Sequence, residues 1–188
     1  MNPQQKAKHT DTENTRLSTL ITEVNQLTDH WLACAPNESK PSPTQHFAIH
    51  ELSKHLYLST LRQGPIFDNP EAVRGYLSSE LKHLTRETFW VLLLNNRHEL
   101  IHSEALFKGT LNAAAVYPRE VAILALEHQA SAIIIAHNHP SGSCEPSRAD
   151  LAITSRLKDA LALIDVSVLD HFLISKNEVL SFAQHGWV

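Results

Sequence analysis

Ala132-Ile133-Ile134-Ile135-Ala136-His137-Asn138-His139-Pro140 decides how this chain folds. An unbroken apolar run rich in β-branched residues predicts a strand buried on both faces, and the polar residues mark its carboxyl end. Alternation along an extended segment turns His137 and His139 to the same side. Asp150 completes an H-x-H-x10-D spacing and can return from the start of a following helix. Two imidazoles and a carboxylate can hold one zinc ion. Three protein ligands leave the fourth tetrahedral position for water, which distinguishes a catalytic zinc site from a closed structural one.

The chain has 13 His, so a close pair alone can arise by chance. The combination with Asp150, Ser147 and the apolar strand carries the metal assignment. Pro146-Ser147-Arg148-Ala149-Asp150 reads as the start of an N-capped helix, with the Ser147 hydroxyl three residues before a ligand. Between histidines and helix, Pro140-Ser141-Gly142-Ser143-Cys144-Glu145 is small and polar, as an active-site rim would be. Cys144 falls between the ligand positions and outside their spacing.

At 188 residues, 43% of them hydrophobic, the chain has material for one substantial domain and an extension. Five Gly rule against a glycine-rich phosphate loop, and a net charge of -4 gives no general pull toward nucleic acid. Cys34 and Cys144 form no C-x-x-C pair, so a disulfide framework and an all-cysteine zinc site are not indicated. With a polar start, Met1-Asn2-Pro3-Gln4-Gln5-Lys6, and no 18-residue apolar run, the expectation is a cytoplasmic protein without a membrane partner.

Residues 1–14 are polar and predicted to be disordered. Leu17, Leu20, Ile21, Val24, Leu27 and Trp31 then keep helical spacing over roughly residues 13–34. A Pro/Ser-rich break at 35–43 precedes a second helix over about residues 44–62, ended by Gly64-Pro65. Residues 1–65 thus form a helical extension, and a catalytic domain is expected over 66–188. It opens with a helix capped at Asn69-Pro70-Glu71 that bears Val73, Tyr76, Leu77, Leu81 and Leu84 on one face. Thr88–Leu94 is a second buried strand, and Asn95-Asn96 turns it into a hairpin with residues 99–107. After Gly109 a short extended piece reaches Val116. Pro118 opens a helix carrying Val121, Leu124 and Ala125; the 132–136 strand follows. A helix over residues 147–163 with Leu151, Leu157, Leu161 and Ile164 leads to two last strands around Lys176-Asn177-Glu178. Alternating strands and helices with hairpins predict an α/β or α+β fold with a mixed sheet.

From about Glu87 to Val188 the chain resembles the RadC family of bacterial JAMM/MPN-type proteins. The resemblance rests on Phe107-Lys108-Gly109-Thr110, Pro118-Arg119-Glu120-Val121, His137-Asn138-His139-Pro140-Ser141-Gly142, Pro146-Ser147 with Asp150, and Leu169-Asp170-His171, in that order. It implies a curved mixed sheet flanked by helices, with cytidine-deaminase-like layering and zinc held by His137, His139 and Asp150. It also implies a metal-dependent peptidase or isopeptidase acting on a peptide or protein. JAMM enzymes place a glutamate on an early strand, and Glu87 matches that position. Glu104 and Glu120 compete with it, although a carboxylate at the start of the Pro118 helix is explained by the helix dipole alone. Residues 1–65 hold a single Gly, Gly64, which departs from the glycine-rich DNA-contacting region frequent in this family.

On this basis zinc would lower the pKa of its water toward about 7, Glu87 would move the proton to the leaving amine, and Ser147 would donate to the oxyanion. Ser147 is equally explained as a helix cap. Asp170-His171 has two explanations, support of a zinc-binding His or plain structure, and Arg119 is more readily an ion-pair residue than a substrate clamp. The rivals are a metal-dependent nuclease or DNA-repair-associated protein and a non-catalytic MPN-type binding module. Three consecutive letters do not make the nuclease HNH motif, which spreads over a ββα unit. A nucleobase deaminase would need H-x-E with P-C-x-x-C, which is missing. Neither the substrate nor the oligomeric state is readable at this level.

Overall fold

The computed structural model describes residues 43–66, 70–109 and 116–188. The predicted disordered start, the helix over 13–34, the break before Pro43, the Asn69 cap and the extended piece before Val116 lie outside the described residues. Among those described, four α-helices surround one five-stranded mixed sheet in an α+β arrangement, as the alternation predicts. In chain order these are α1 Pro43–Gln63, α2 Pro70–Leu81, β1 Thr88–Leu94, β2 Leu100–Lys108, α3 Pro118–Glu127, β3 Ala132–Asn138, α4 Arg148–Ala162, β4 Ser167–Ile174 and β5 Val179–Ser181, followed by a 3-10 turn at Ala183–His185. No described helix is long and apolar enough to cross a membrane.

Strand order is β2-β1-β3-β4-β5, with only the β3–β4 pair parallel. β3 lies at the centre and every one of its residues is buried. That burial is why its sequence is a continuous apolar run and not an alternating one. Asn95 closes the β1–β2 hairpin, its Oδ1 accepting the Arg97 and Glu99 N–H groups at 2.8 and 3.0 Å.

The strand period of two divides the core between the two faces. One face joins Leu92, Leu94, Ile134, Ala136 and Phe172 to Tyr57 and Leu61 of α1 and to Val73, Tyr76, Leu77 and Leu81 of α2. The other joins Phe89, Val91, Ile133 and Ile135 to Val121 and Leu124 of α3 and to Leu157 and Leu161 of α4. Each fully buried Leu or Ile side chain contributes roughly 1.5–3 kcal/mol. Leu84 lies past the end of α2 and packs on the first cluster, while Leu151 is 36% exposed and lies off the buried stripe of α4.

Topology then sets the place of the polar residues. Two parallel strands need a crossover, and α4 supplies it between β3 and β4. Its N-terminus therefore stands beside the carboxyl end of β3, where open α/β sheets commonly bind ligands.

Candidate metal centre

His137 is the next-to-last residue of β3 and His139 lies just beyond it, so alternation sets their rings side by side, with centroids 4.9 Å apart. His137 is almost fully buried and shares the sheet face of Ile133 and Ile135. His139 remains tied to the neighbouring strand, its N–H donating to the Ile174 carbonyl at 2.9 Å. Three residues on, Gly142 takes φ +88°, a left-handed conformation that favours glycine and turns the rim back. The Gly142 N–H donates to the His139 carbonyl at 3.0 Å.

Asp150 comes from the first turn of α4. Ser147 Oγ accepts the Asp150 N–H at 3.1 Å, and Asp150 Oδ2 accepts the Ser147 N–H at 2.7 Å, a reciprocal capping box. The box fixes the carboxylate. Asp150 Oδ1 lies 3.4 Å from His137 Nε2, and Oδ2 lies 3.6 Å from His139 Nε2. The two ring nitrogens are 3.3 Å apart.

These spacings and donor types fit a single metal ion. Tetrahedral zinc with bonds of about 2.0–2.1 Å needs its ligand atoms about 3.3–3.4 Å from one another. One donor atom from each of His137, His139 and Asp150 lies within 4.8 Å of the other two. The His139 Nδ1 atom faces the Ser143 carbonyl at 3.2 Å. Because a carbonyl can only accept, the proton of a neutral His139 ring belongs on Nδ1, and Nε2 is the atom turned to the site.

The local field favours positive charge here. Burial pushes the Asp150 carboxyl up, but the His137 and His139 rings and Ser147 outweigh it and hold it well below the usual carboxylate range. The Asp150 hydrogen bond in turn raises the pKa of His139 against the opposing effect of burial. A bound cation would take over the charge compensation that a protonated imidazole supplies in its place.

Glu87 and Ser147 line the same cleft of about 320 Å³ as the three candidate ligands. Phe89 pairs with His137 at the end of the β1–β3 ladder, which brings Glu87, two residues before Phe89, to the histidine end of the cleft. Gly109 N–H donates to the Glu87 carbonyl at 2.8 Å, fixing its backbone from the β2 side. Glu104 is 3.5 Å from His102 on β2, and Glu120 pairs with exposed Arg119 at 2.9 Å on α3; neither lines the cleft. Ser147 caps α4 through a lone pair of Oγ, a bond that does not use its O–H. Cys144 stands on the rim outside the cleft lining, and burial raises its thiol pKa.

The Asp170-His171 pair divides between the two explanations. Asp170 Oδ1 accepts the His171 and Ala183 N–H groups at 2.7 and 2.9 Å, and Oδ2 accepts the Ser181 hydroxyl at 2.6 Å. It ties β5 and the last turn to β4. His171 instead lines the cleft, its Nε2 2.8 Å from His137 Nδ1, and burial drives its pKa well below that of a free imidazole.

Residues 67–187 match the RadC-like JAB domain. The chain belongs to that family. Similar RadC-family relatives include a UPF0758 protein of Vibrio parahaemolyticus, 52% identical over 141 residues that cover 75% of this chain and 63% of the relative. UPF0758 proteins of Vibrio cholerae and Photobacterium profundum are each 50% identical over the same shares. The chain thus spans less than two thirds of the length of these relatives.

Two RadC-domain residues that support the site escaped the sequence reading. Asn138 sits between the histidines, and alternation turns its side chain to the opposite face of β3. There it bonds the backbone around Glu87. Thr154 is a buried polar residue on α4, in line with Asp150, Leu157 and Leu161 at helical spacing. A polar residue on an otherwise apolar stripe was the available signal.

Proposed function

We propose that the chain is a zinc-dependent metallopeptidase or isopeptidase of JAMM type, cleaving an amide bond in a peptide or protein substrate. The cytoplasm is its proposed compartment. The observation carrying this reading is the meeting of two imidazoles, a carboxylate, Glu87 and the Ser147 hydroxyl in one cleft. Two nitrogens and one oxygen suit zinc, and three protein ligands match the ligand number of catalytic zinc sites. When bound, the ion supplies Lewis acidity that makes water a competent nucleophile near neutral pH.

His137, His139 and Asp150 would hold the metal. Glu87 takes a proton from the attacking water and delivers it to the leaving nitrogen, a two-way transfer suited to a carboxylate within hydrogen-bond reach. Ser147 donates its O–H to the substrate carbonyl oxygen as negative charge develops there. With a net charge of -4, the chain has no general phosphate-binding footprint, which supports a peptide or protein substrate over nucleic acid.

The test compares zinc-loaded wild type with Glu87→Gln, each incubated with cell lysate, by mass spectrometry of new peptide termini. New termini confined to the wild type are expected. Identical profiles would remove the support for a peptidase.

A further inference from the structure

His171 is the residue on which His137 rests. It is fully buried, with its ring centroid 5.9 Å from that of Phe89 and 4.3 Å from that of Phe182. Phe or Leu would meet a purely apolar packing need there without burying two polar nitrogens. Both nitrogens have partners, Nε2 with His137 Nδ1 at 2.8 Å and Nδ1 with Thr154 Oγ1 at 2.6 Å.

The direction of these bonds follows from the far end. Thr154 Oγ1 lies 2.6 Å from the Asp150 carbonyl, which can only accept, so the single hydroxyl proton of Thr154 points there. Toward His171, Thr154 must therefore accept, and the His171 proton sits on Nδ1. A neutral His171 then offers a lone pair at Nε2, and the proton of His137 lies on Nδ1 to meet it. In a neutral His137 ring the remaining nitrogen, Nε2, is then the lone pair facing His139 and Asp150. His139 reaches the same state through the Ser143 carbonyl. The reverse order would leave two acceptors facing each other at Thr154 and Asp150, and would put a proton on His137 Nε2 where a metal must bind.

We propose that Thr154 and His171 form a one-way hydrogen-bond relay that locks His137 in the Nδ1-protonated tautomer and thereby sets the zinc affinity of the site. They are positioning residues, acting through His137. The inference rests on the metal-centre reading above. Because Thr154 also bonds the carbonyl of Asp150, the relay links one candidate ligand to another.

The test measures zinc affinity of the whole chain by competition with a chromophoric chelator, together with 15N NMR of the histidine rings in the metal-free protein. Wild type should bind one zinc and show His137 protonated at Nδ1 before metal is added. Thr154→Val preserves shape but removes the acceptor that pins His171; His171→Phe preserves ring volume but removes the acceptor for His137. Each should weaken zinc binding about 10- to 100-fold. His171→Gln, whose amide oxygen can accept from His137 Nδ1, should recover part of the affinity lost in His171→Phe. A residue needed only for packing would leave His171→Phe binding like wild type. Failure of wild type to bind zinc overturns the metal-centre reading and the relay with it. Zinc-binding wild type with unchanged affinity in folded His171→Phe and Thr154→Val overturns the relay alone. If His171→Phe does not fold, Thr154→Val and the wild-type ring decide, and a His137 Nδ1 that carries no proton sinks the proposal.

Discussion

Asn138 holds Thr88 in place: its side-chain Oδ1 accepts the Thr88 N–H at 2.8 Å, buried between β1 and β3. Its Nδ2 donates to the Arg86 and Leu84 carbonyls at 3.2 and 3.3 Å. The amide thus grips the backbone on both sides of Glu87. The strand that bears the histidines also positions the candidate base.

Asn138→Ala should therefore destabilise the protein by about 1–3 kcal/mol, since it strands a buried N–H and removes the donor to two carbonyls. Amide exchange at Thr88 should accelerate beyond the global change, while the His137 and His139 rings keep their places on the other face. Chemical denaturation combined with hydrogen exchange checks this; unchanged protection at Thr88 would contradict the clamp. Asn138→Asp retains the acceptor for Thr88 but faces a carboxylate to two carbonyls, and should cost at least as much.

Zinc should stabilise the folded chain by about 2.7 kcal/mol when its free concentration is 100 times Kd. His139→Ala should abolish the thermal shift and the bound metal. Glu104→Gln and Glu120→Gln should leave both unchanged, because neither residue lines the cleft. Scanning fluorimetry with metal analysis distinguishes the sets.

Ser147→Ala removes a helix cap and a catalytic donor together, and the two losses separate by measurement. Stability should fall by about 0.5–2 kcal/mol from the lost bond to the Asp150 N–H. On a peptide identified by the terminus comparison, kcat should fall by about 10²–10³-fold. A stability loss with unchanged kcat would leave Ser147 as a cap alone.

Tyr76 carries a pH signature. Burial pushes its hydroxyl up to about 12 from 10.0, with Glu80 adding to the shift and the Ser103 hydrogen bond opposing it. Between these values the unfolded chain loses the proton while the folded chain keeps it, so the stabilisation is full below pH 10 and is lost as pH rises toward 12. Urea unfolding should show a wild-type advantage over Tyr76→Phe that is constant below pH 10 and shrinks above it. A constant difference throughout would contradict the shift.

Gly75→Ala normally favours a helix by about 1 kcal/mol. In α2 the added Cβ would collide with the ring of buried Tyr57 on α1. Overpacking of this kind costs about 1–3 kcal/mol, so the expected sign is destabilising. A raised denaturation midpoint would show that α1 yields without cost.

Periodicity along the chain was sufficient for most of the secondary structure. β1, β3 and their hairpin and helical neighbours are long, strongly patterned segments, and a buried strand has to be apolar on both sides. The three-donor set was legible because its residues meet through local geometry: alternation for His137 and His139, and a capped helix start for Asp150 and Ser147. Leu151 shows the limit, since an apolar residue at the right spacing turned out exposed at the edge of the buried stripe.

What the sequence by itself determined was therefore the strand and helix pattern, the family resemblance and the donor types at the cleft. Only the tertiary structure decided among Glu87, Glu104 and Glu120 for the cleft wall, because the β1–β3 pairing of Phe89 with His137 brings the start of β1 to the histidines across many intervening residues. It also divided Asp170 from His171, assigning one to the β5 edge and the other to His137. Hydrogen bonds across 34 residues, such as His137 to His171, require two strands to pair before the two rings can meet. Local propensity carries no record of that pairing; strand order and register create it.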